Sequence, residues 1–311
     1  MKIVKPQVEL WKQEPTLAGA WHQIARATRV CYQSKPREGE SDEAFVNRVI
    51  LKPATREDGS IDFDKCHGAM LEHGTIYLTI PRTSLVAHTI HYMHNIYSRA
   101  LFGALFNDDD NNDYITTNMR VILENNWQDD LKFISAPTYH AERTTFSVIS
   151  DIGITRELNR HRVNSIAEQS TRYCTYSANK FGNEIAYTNN DFLNVCLFNL
   201  NWDELYINSK YLRKLCKDIA NNEDDKWTAE HYYMFGLLAA EFAYLGLKKN
   251  KVSNDIARQV LNLNTRSQAI YTAFDYDWIH FIRLRADNVS GKVHPNMKII
   301  ADKIKELFNN K

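Results

Sequence analysis

The densest run of chemically capable side chains is Arg156-Glu-Leu-Asn-Arg160-His161-Arg162-Val-Asn-Ser165-Ile-Ala-Glu168-Gln-Ser170-Thr-Arg172-Tyr173, which holds four arginines, a histidine, two serines and two glutamates. Arg156 and Arg160 are four apart, so a helix would stack their like charges on one face. An anion between them relieves that repulsion. The planar guanidinium fork suits phosphate oxygens, and serine adds a donor without further charge. Glu168 and Arg172 have the same spacing and could pair. The competing reading is a solvated basic helix with ordinary surface ion pairs, and residue types alone leave both open.

Two other constellations could do chemistry. His88, His91 and His94 recur every three residues and would share an arc of a helix. A metal hydrolase could be built on such a set, but no carboxylate or cysteine close in sequence completes it, and packing is the plainer account. The cysteines Cys31, Cys66, Cys174, Cys196 and Cys216 are scattered and contain no CxxC pair. They read as ordinary small residues in a reducing compartment rather than as nucleophiles or a disulfide framework. Neither GxGxxG nor GxxxxGK[ST] occurs, so no glycine-rich dinucleotide or triphosphate loop is expected.

The elements that must position these groups follow from periodicity and punctuation. Ile3, Val4, Val8 and Leu10 read as one edge strand, followed by a helix over 17–29. Residues 35–62 read as a charged loop with a short helix near 43–51. Thr75 to Ile80 is β-branched and aromatic and reads as a strand closed by Pro81, whereas 82–106 reads as helical. Asn107 to Asp113 reads as a solvated acidic loop; 116–124 fits strand or helix; 144–152 reads as a strand. The last third predicts helices over 204–220, 229–247, 254–261, 276–286 and 295–309, the last starting at Pro295. Tyr232, Tyr233, Phe235, Phe242 and Tyr244 are expected to pack in the core. The sum is an α+β fold, a mixed or antiparallel sheet packed with helices and a helical C-terminal half.

Composition narrows the class. With 44% hydrophobic and 24% charged residues over 311 positions, a packed core is feasible. The 38 basic and 38 acidic residues cancel, which argues against a protein that coats nucleic acid or an anionic membrane. No signal-like N-terminal segment and no apolar run of about 18 residues appears, so a soluble cytoplasmic protein is expected. A single-stranded nucleic-acid binder using the same arginines stays as the alternative, with Tyr173 and Tyr176 as its nearby stacking rings.

Arg160-His161-Arg162, followed by Ser165, Glu168, Ser170, Arg172 and Tyr173 in register, resembles the signature of the flavin-dependent thymidylate synthases. Met1 to Glu9 resembles the N-terminal strand of one branch of that family, and Ala27-Thr-Arg-Val-Cys31-Tyr32-Gln-Ser34 its GRTCYKS segment. His67 to His73 resembles its HxSPLEH element, Ala257-Arg258-Gln-Val-Leu261 its AR-x-VLP helix, and His280-Phe-Ile-Arg-Leu284-Arg285 its HF-x-x-LR helix. The resemblance implies one domain over 1–311, with an insertion at about 74–145 whose role the sequence does not declare.

The activity it implies is reductive methylation of dUMP to dTMP. FAD would be the cofactor, NADPH and methylene-tetrahydrofolate the co-substrates, and the sites would lie between subunits of a homotetramer, with no nucleic-acid or membrane partner. By the same resemblance Arg160, His161, Arg162, Glu168, His280 and His67 would contact FAD. Glu157, Arg160, Glu168, Ser170, Arg172, Arg258 and Arg285 would bind dUMP, with Arg258 reaching the phosphate from a neighbouring subunit. Arg285 matches the arginine that polarises the uracil ring, a task for which a permanent cation is suited; pairing with Asp277 or Asp287 is the structural alternative. No metal is implied. Ala167 stands where many members have Asn, Ala69 and Met70 replace Ser-Pro, and Phe274-Asp-Tyr276 departs from the polar residues that often contact adenine.

Overall fold

Pro6 has no amide hydrogen to give a ladder, and it divides the expected N-terminal strand in two. A computed structural model of the chain describes residues 1–83, 88–103, 111–177, 184–189, 204–206, 209–289 and 291–311. In it β1 (Lys2–Val4) and β2 (Gln7–Trp11) belong to different sheets. The remaining strands are β3 (Thr75–Pro81), β4 (Arg99–Phe102), β5 (Asn112–Asn118), β6 (Arg143–Asp151), β7 (Ser165–Glu168), β8 (Ala186–Thr188), β9 (Glu204–Tyr206) and β10 (Arg266–Phe274). The helices are α1 (Leu17–Tyr32), α2 (Asp42–Val46), α3 (His88–His94), α4 (Met119–Glu124), α5 (Ile152–Leu158), α6 (Ser209–Ala220), α7 (Ala229–Lys249), α8 (Asn254–Ala257), α9 (Asp275–Arg285) and α10 (Pro295–Asn309).

The central sheet is antiparallel, in the order β2-β6-β10-β7. Both faces are covered. Phe146 and Val148 of β6 and Ala269, Tyr271 and Ala273 of β10 enter one core with Ile154, Trp278, Phe281, Ile300 and Ile304 of α5, α9 and α10. Trp11, Ala167 and Ile270 point the other way, into a core built on α1, the β3-β5-β4 sheet and α4. A third core joins β1 and β8 to α6 and α7. The expected α+β class therefore holds, with antiparallel ladders except where β1 meets β8 in parallel.

Several local expectations change. The helix expected over 82–106 is confined to α3, because Arg99–Phe102 pairs with β5 and is a strand. Of the acidic run, 107–110 lie outside the described residues, and Asn112 and Asp113 already pair in β5. Residues 116–124 are strand and then helix, divided at Asn118, whose side chain accepts from Val121 N. The helix expected from 204 begins at Ser209, after β9, and β10 was not expected at all. In α7 Tyr244 is buried as anticipated, but Tyr232 and Phe242 are exposed, Phe242 by 70%. Cys196 lies outside the described residues; Cys31, Cys66, Cys174 and Cys216 are free thiols.

The layer between α1 and the sheet carries polar groups. His73 is fully buried, its Nδ1 2.8 Å from Thr272 Oγ1, which is in turn 2.8 Å from Thr145 Oγ1. Gly74 follows, so close to α1 that a Cβ there would fall 2.6 Å from Ile24 Cδ1 and 3.0 Å from Ala20 O. Burial, and then the Arg143 charge, press the His73 imidazole down to about 3. Below its ordinary value near 6.5, the unfolded chain takes up a proton that the folded imidazole refuses, so this residue subtracts stability as pH falls through the window from 6.5 to about 3. The slope is about 1.4 kcal/mol per pH unit. In urea unfolding, wild type is expected to lose about 2 to 3 kcal/mol more than His73→Gln between pH 6 and pH 4. Parallel losses in the two proteins would show that His73 protonates without penalty in the folded state.

Candidate functional site

Because β6 and β10 are antiparallel neighbours, the helices that follow them start at opposite ends of the sheet, Asp151 lying across from Arg266 and Phe274 across from Arg143. Asp151 caps α5, accepting from Ile154 N at 2.9 Å, and its second oxygen accepts from Asn296 Nδ2 of α10 at 3.2 Å. At the other end Trp278 of α9 donates from Nε1 to Thr144 O at 3.0 Å. Both helices pack on the same face and run toward each other, which brings residues 157–162 against the last two turns of α9. Arg285 Nε donates to His161 Nε2 at 3.0 Å, Arg285 Nη1 lies 3.7 Å from Glu157 Oε2, and the His161 and Phe281 rings meet edge to face at 4.9 Å.

The arginine run is not one helix. α5 ends at Leu158, Arg160–Arg162 form the turn beyond it, and Ser165–Glu168 is an edge strand. Arg156 therefore sits on the helix and Arg160 past its end. The pairing expected between Glu168 and Arg172 does not form: Glu168 Oε1 accepts from Thr155 Oγ1 at 2.8 Å and Ser267 Oγ at 2.7 Å, while Arg172 Nε lies 3.5 Å from Asp255 Oδ1. Arg285 pairs with neither Asp277 nor Asp287; the latter binds Lys305.

Two clefts flank α5. The first, of about 250 Å³, is lined by Arg160, His161, Arg162, Asn164, Asp277, His280 and Arg285 over an apolar floor that includes Trp278 and Phe281. The second, of about 560 Å³, is lined by Arg156, Glu168, Gln169, Ser170, Arg258, Asn262 and Ser267. The expected site residues thus fall into two groups, with Glu157 behind Arg285 in the first. His67 and Arg172 join neither: His67 packs with the Tyr32 and Tyr173 rings at 5.7 and 6.2 Å. Arg156, Asn164 and Asp277 are cleft residues that the sequence reading did not assign, although the Arg156–Arg160 spacing had pointed to an anion.

The electrostatics differ from an ordinary surface. Arg156, Arg160, Arg162 and Arg258 are exposed, and among the described residues none has an ion-pair partner. Burial, and then Arg285 and His280, depress the His161 imidazole to about 4. It is neutral near pH 7 and offers Nε2 as an acceptor to Arg285. Desolvation raises the Asp277 carboxyl, against the pull of Tyr276, Arg99, His280 and Arg143.

The histidines of α3 have protein neighbours of their own. His88 Nδ1 meets Asp130 Oδ2 at 2.9 Å and its ring stacks on Trp127 at 4.9 Å, so the fold supplies a carboxylate that was not visible near it in sequence. His94 Nδ1 lies 2.8 Å from Ile90 O. No group of three metal-ligating side chains occurs among the described residues. Tyr176, one of the two rings that a nucleic-acid reading needed, is buried, while Tyr173 is exposed by 52%. No helix among the described residues is long and apolar enough to cross a membrane.

No curated protein sequence matches the chain. Among solved structures, the UMP/dUMP methylase PolB from Streptomyces cacaoi bound with 5-Br dUMP is similar at 15% identity and a TM-score of 0.40, over 100% of this chain and 93% of that one. Its complex with 5-Br UMP gives the same identity and score, over 99% and 91%. Similarity at that level carries no functional weight. The family model for the thymidylate synthase complementing protein matches residues 135–311. That span holds β6, α5, the arginine turn, β10 and α9, but not the Cys31 or His67 segments. The match covers more than half of the sequence, and so the chain belongs to the thymidylate synthase complementing protein family and is a methyltransferase-type enzyme of the thymidylate synthase kind.

Proposed function

We propose that the chain is a flavin-dependent thymidylate synthase, methylating dUMP to dTMP with methylene-tetrahydrofolate as carbon donor and NADPH as reductant. One observation carries the reading: the fold joins the Arg160-His161-Arg162 turn to the last turn of α9 through the Arg285 Nε to His161 Nε2 bond, although the two are 124 residues apart.

The residues present fit a flavin dinucleotide. Arg160 and Arg162 are guanidinium groups without ion-pair partners among the described residues, suited to a pyrophosphate, and Trp278 and Phe281 give the cleft an apolar floor against which a ring system packs. At about 250 Å³ the cleft is below the roughly 300 to 1,000 Å³ of pockets that enclose drug-sized ligands. A dinucleotide must therefore extend over neighbouring surface. FAD, once reduced, supplies the hydride that completes the methyl group. This chain's residues bind and orient. Arg285, fixed through Nε by neutral His161 and drawn by Glu157, aims its remaining N–H groups at the cleft, where a permanent cation stabilises negative charge developing on a uracil ring. Glu168 is held at one oxygen by two hydroxyls, which leaves the other for a nucleotide donor.

The separation of Arg160 and Arg285 from Ser170, Glu168 and Arg258 supports sites completed between chains, as in the expected homotetramer. Arg156, Arg258 and Ser170 would hold the dUMP phosphate for the cleft of a neighbouring subunit. His67, grouped with Tyr32 and Tyr173, and Arg172, beside Asp255, would reach ligand only from such a neighbour. The protein is proposed to act in the cytoplasm.

Purified protein is expected to be yellow and to release dTMP from dUMP, methylene-tetrahydrofolate and NADPH; a colourless protein unable to take up FAD would sink the proposal. Arg285→Ala should lower kcat about 100- to 1,000-fold with the fold intact, and full turnover would remove the polarising role. Arg160→Ala and Arg258→Ala should each be nearly inactive alone, whereas unfolding and co-refolding the two together should restore part of the wild-type rate. Continued inactivity of the mixed oligomer would place both arginines in one chain's site.

A further inference from the structure

Tyr271 of β10 is fully buried, in the core that α5 shares with the central sheet. A buried phenol hydroxyl costs stability unless it finds a partner. This one meets two groups, both in the last turn of α5. Oη donates to Asn159 Oδ1 at 3.0 Å and lies 3.5 Å from Thr155 O, the carbonyl that already accepts from Asn159 N at 2.9 Å. The shorter contact is the stronger hydrogen bond. Burial, and then the Glu168 charge, push the phenol well above its ordinary value near 10, so it donates at every working pH.

Asn159 is where α5 stops. It caps the helix, and beyond it Arg160 N and His161 N donate back to Glu157 O and Leu158 O at 3.2 and 3.0 Å. The side chains that follow, Arg160, His161 and Arg162, line the first cleft. Arg160 and Arg162 are exposed cations two residues apart, so they repel each other, and a helix end with few internal bonds frays readily. The fold tethers this turn on both sides of Arg160. Asn159 is held by Tyr271 of the sheet, and His161 is held by Arg285 of α9. The tethers come from different elements, so the sheet as well as α9 sets where the turn lies. A turn ordered before a ligand arrives spares that ligand the cost of ordering it.

We infer that Tyr271 is a positioning residue for the Arg160–Arg162 turn, acting through Asn159 on the binding of a pyrophosphate-bearing cofactor in the first cleft. This rests on the flavin reading of that cleft. Dissociation constants for FAD would be read from flavin fluorescence in wild type, Tyr271→Phe, Asn159→Ala and the double variant, with urea midpoints alongside. Tyr271→Phe removes one oxygen and keeps the ring that packs in the core; the half-buried Asn159 position serves if that variant folds poorly. Each single substitution should weaken FAD about 5- to 10-fold. The double variant should lose no more than the larger of the two, because both remove the same bond. A hydroxyl that served only stability would lower the urea midpoint and leave FAD affinity alone. FAD affinity within about twofold of wild type in either single variant therefore overturns the inference, as do additive losses in the double variant. A wild-type protein that takes up no FAD overturns the flavin reading instead.

Discussion

The hydrogen bond from Arg285 Nε to His161 Nε2 is the constraint around which the first cleft is arranged. It requires an imidazole that accepts, hence a neutral one, and burial beside Phe281 together with the charges of Arg285 and His280 keeps it so, at about 4. The bond also requires two helix ends in one place. Antiparallel pairing of β6 with β10 provides that, because helices launched from opposite ends of neighbouring strands and folded back on one face must converge. The apolar residues of the two helices hold them there: Ile154 and Leu158 on α5, Trp278, Phe281 and Ile282 on α9, all in one core with Tyr271 between them. Tyr271 adds a polar tie, its hydroxyl donating to Asn159 Oδ1 at 3.0 Å just where the arginine turn begins.

Much of this was legible in the sequence, and the failures have identifiable causes. The C-terminal helix 295–309 was read to the residue because Pro295 marks its start and its apolar stripe is regular. β10 was missed because it is buried on both faces, so Arg266–Phe274 shows no alternation of polar and apolar residues. The helix expected through 99–102 failed for a related reason: β4 is half-buried throughout, and pairing with β5 overrode local preference. The arginine run was read as helical from the spacing of Arg156 and Arg160, but only the first of them is on α5.

The site residues were legible as types and as a list, and their grouping was not. Sequence separation hides which of them meet. Arg285 and His161 are 124 residues apart. Nor did spacing show that Arg172 would be drawn to Asp255 or that His67 would pack against Tyr32 and Tyr173. What residue chemistry raised from the types alone was the need for an anion. Arginines crowded beyond what neighbouring carboxylates neutralise need a negative partner, and Arg156, Arg160, Arg162 and Arg258 have none in the described chain.

That local surplus has to be set against a chain whose 38 basic and 38 acidic residues cancel. A polyanion is recognised by an extended basic track, since affinity grows with the number of phosphates neutralised. Here the cations without ion-pair partners among the described residues are divided between two clefts, and carboxylates stand beside them: Glu157 and Asp277 at the first and Glu168 at the second. A long nucleic-acid backbone laid across both would meet those carboxylates between the arginines. A mononucleotide or dinucleotide, with its charge concentrated at one phosphate or pyrophosphate, can meet the guanidinium groups and use the carboxylates as acceptors for its base and sugar. The distribution of charge, more than its amount, therefore favours small nucleotides at this surface.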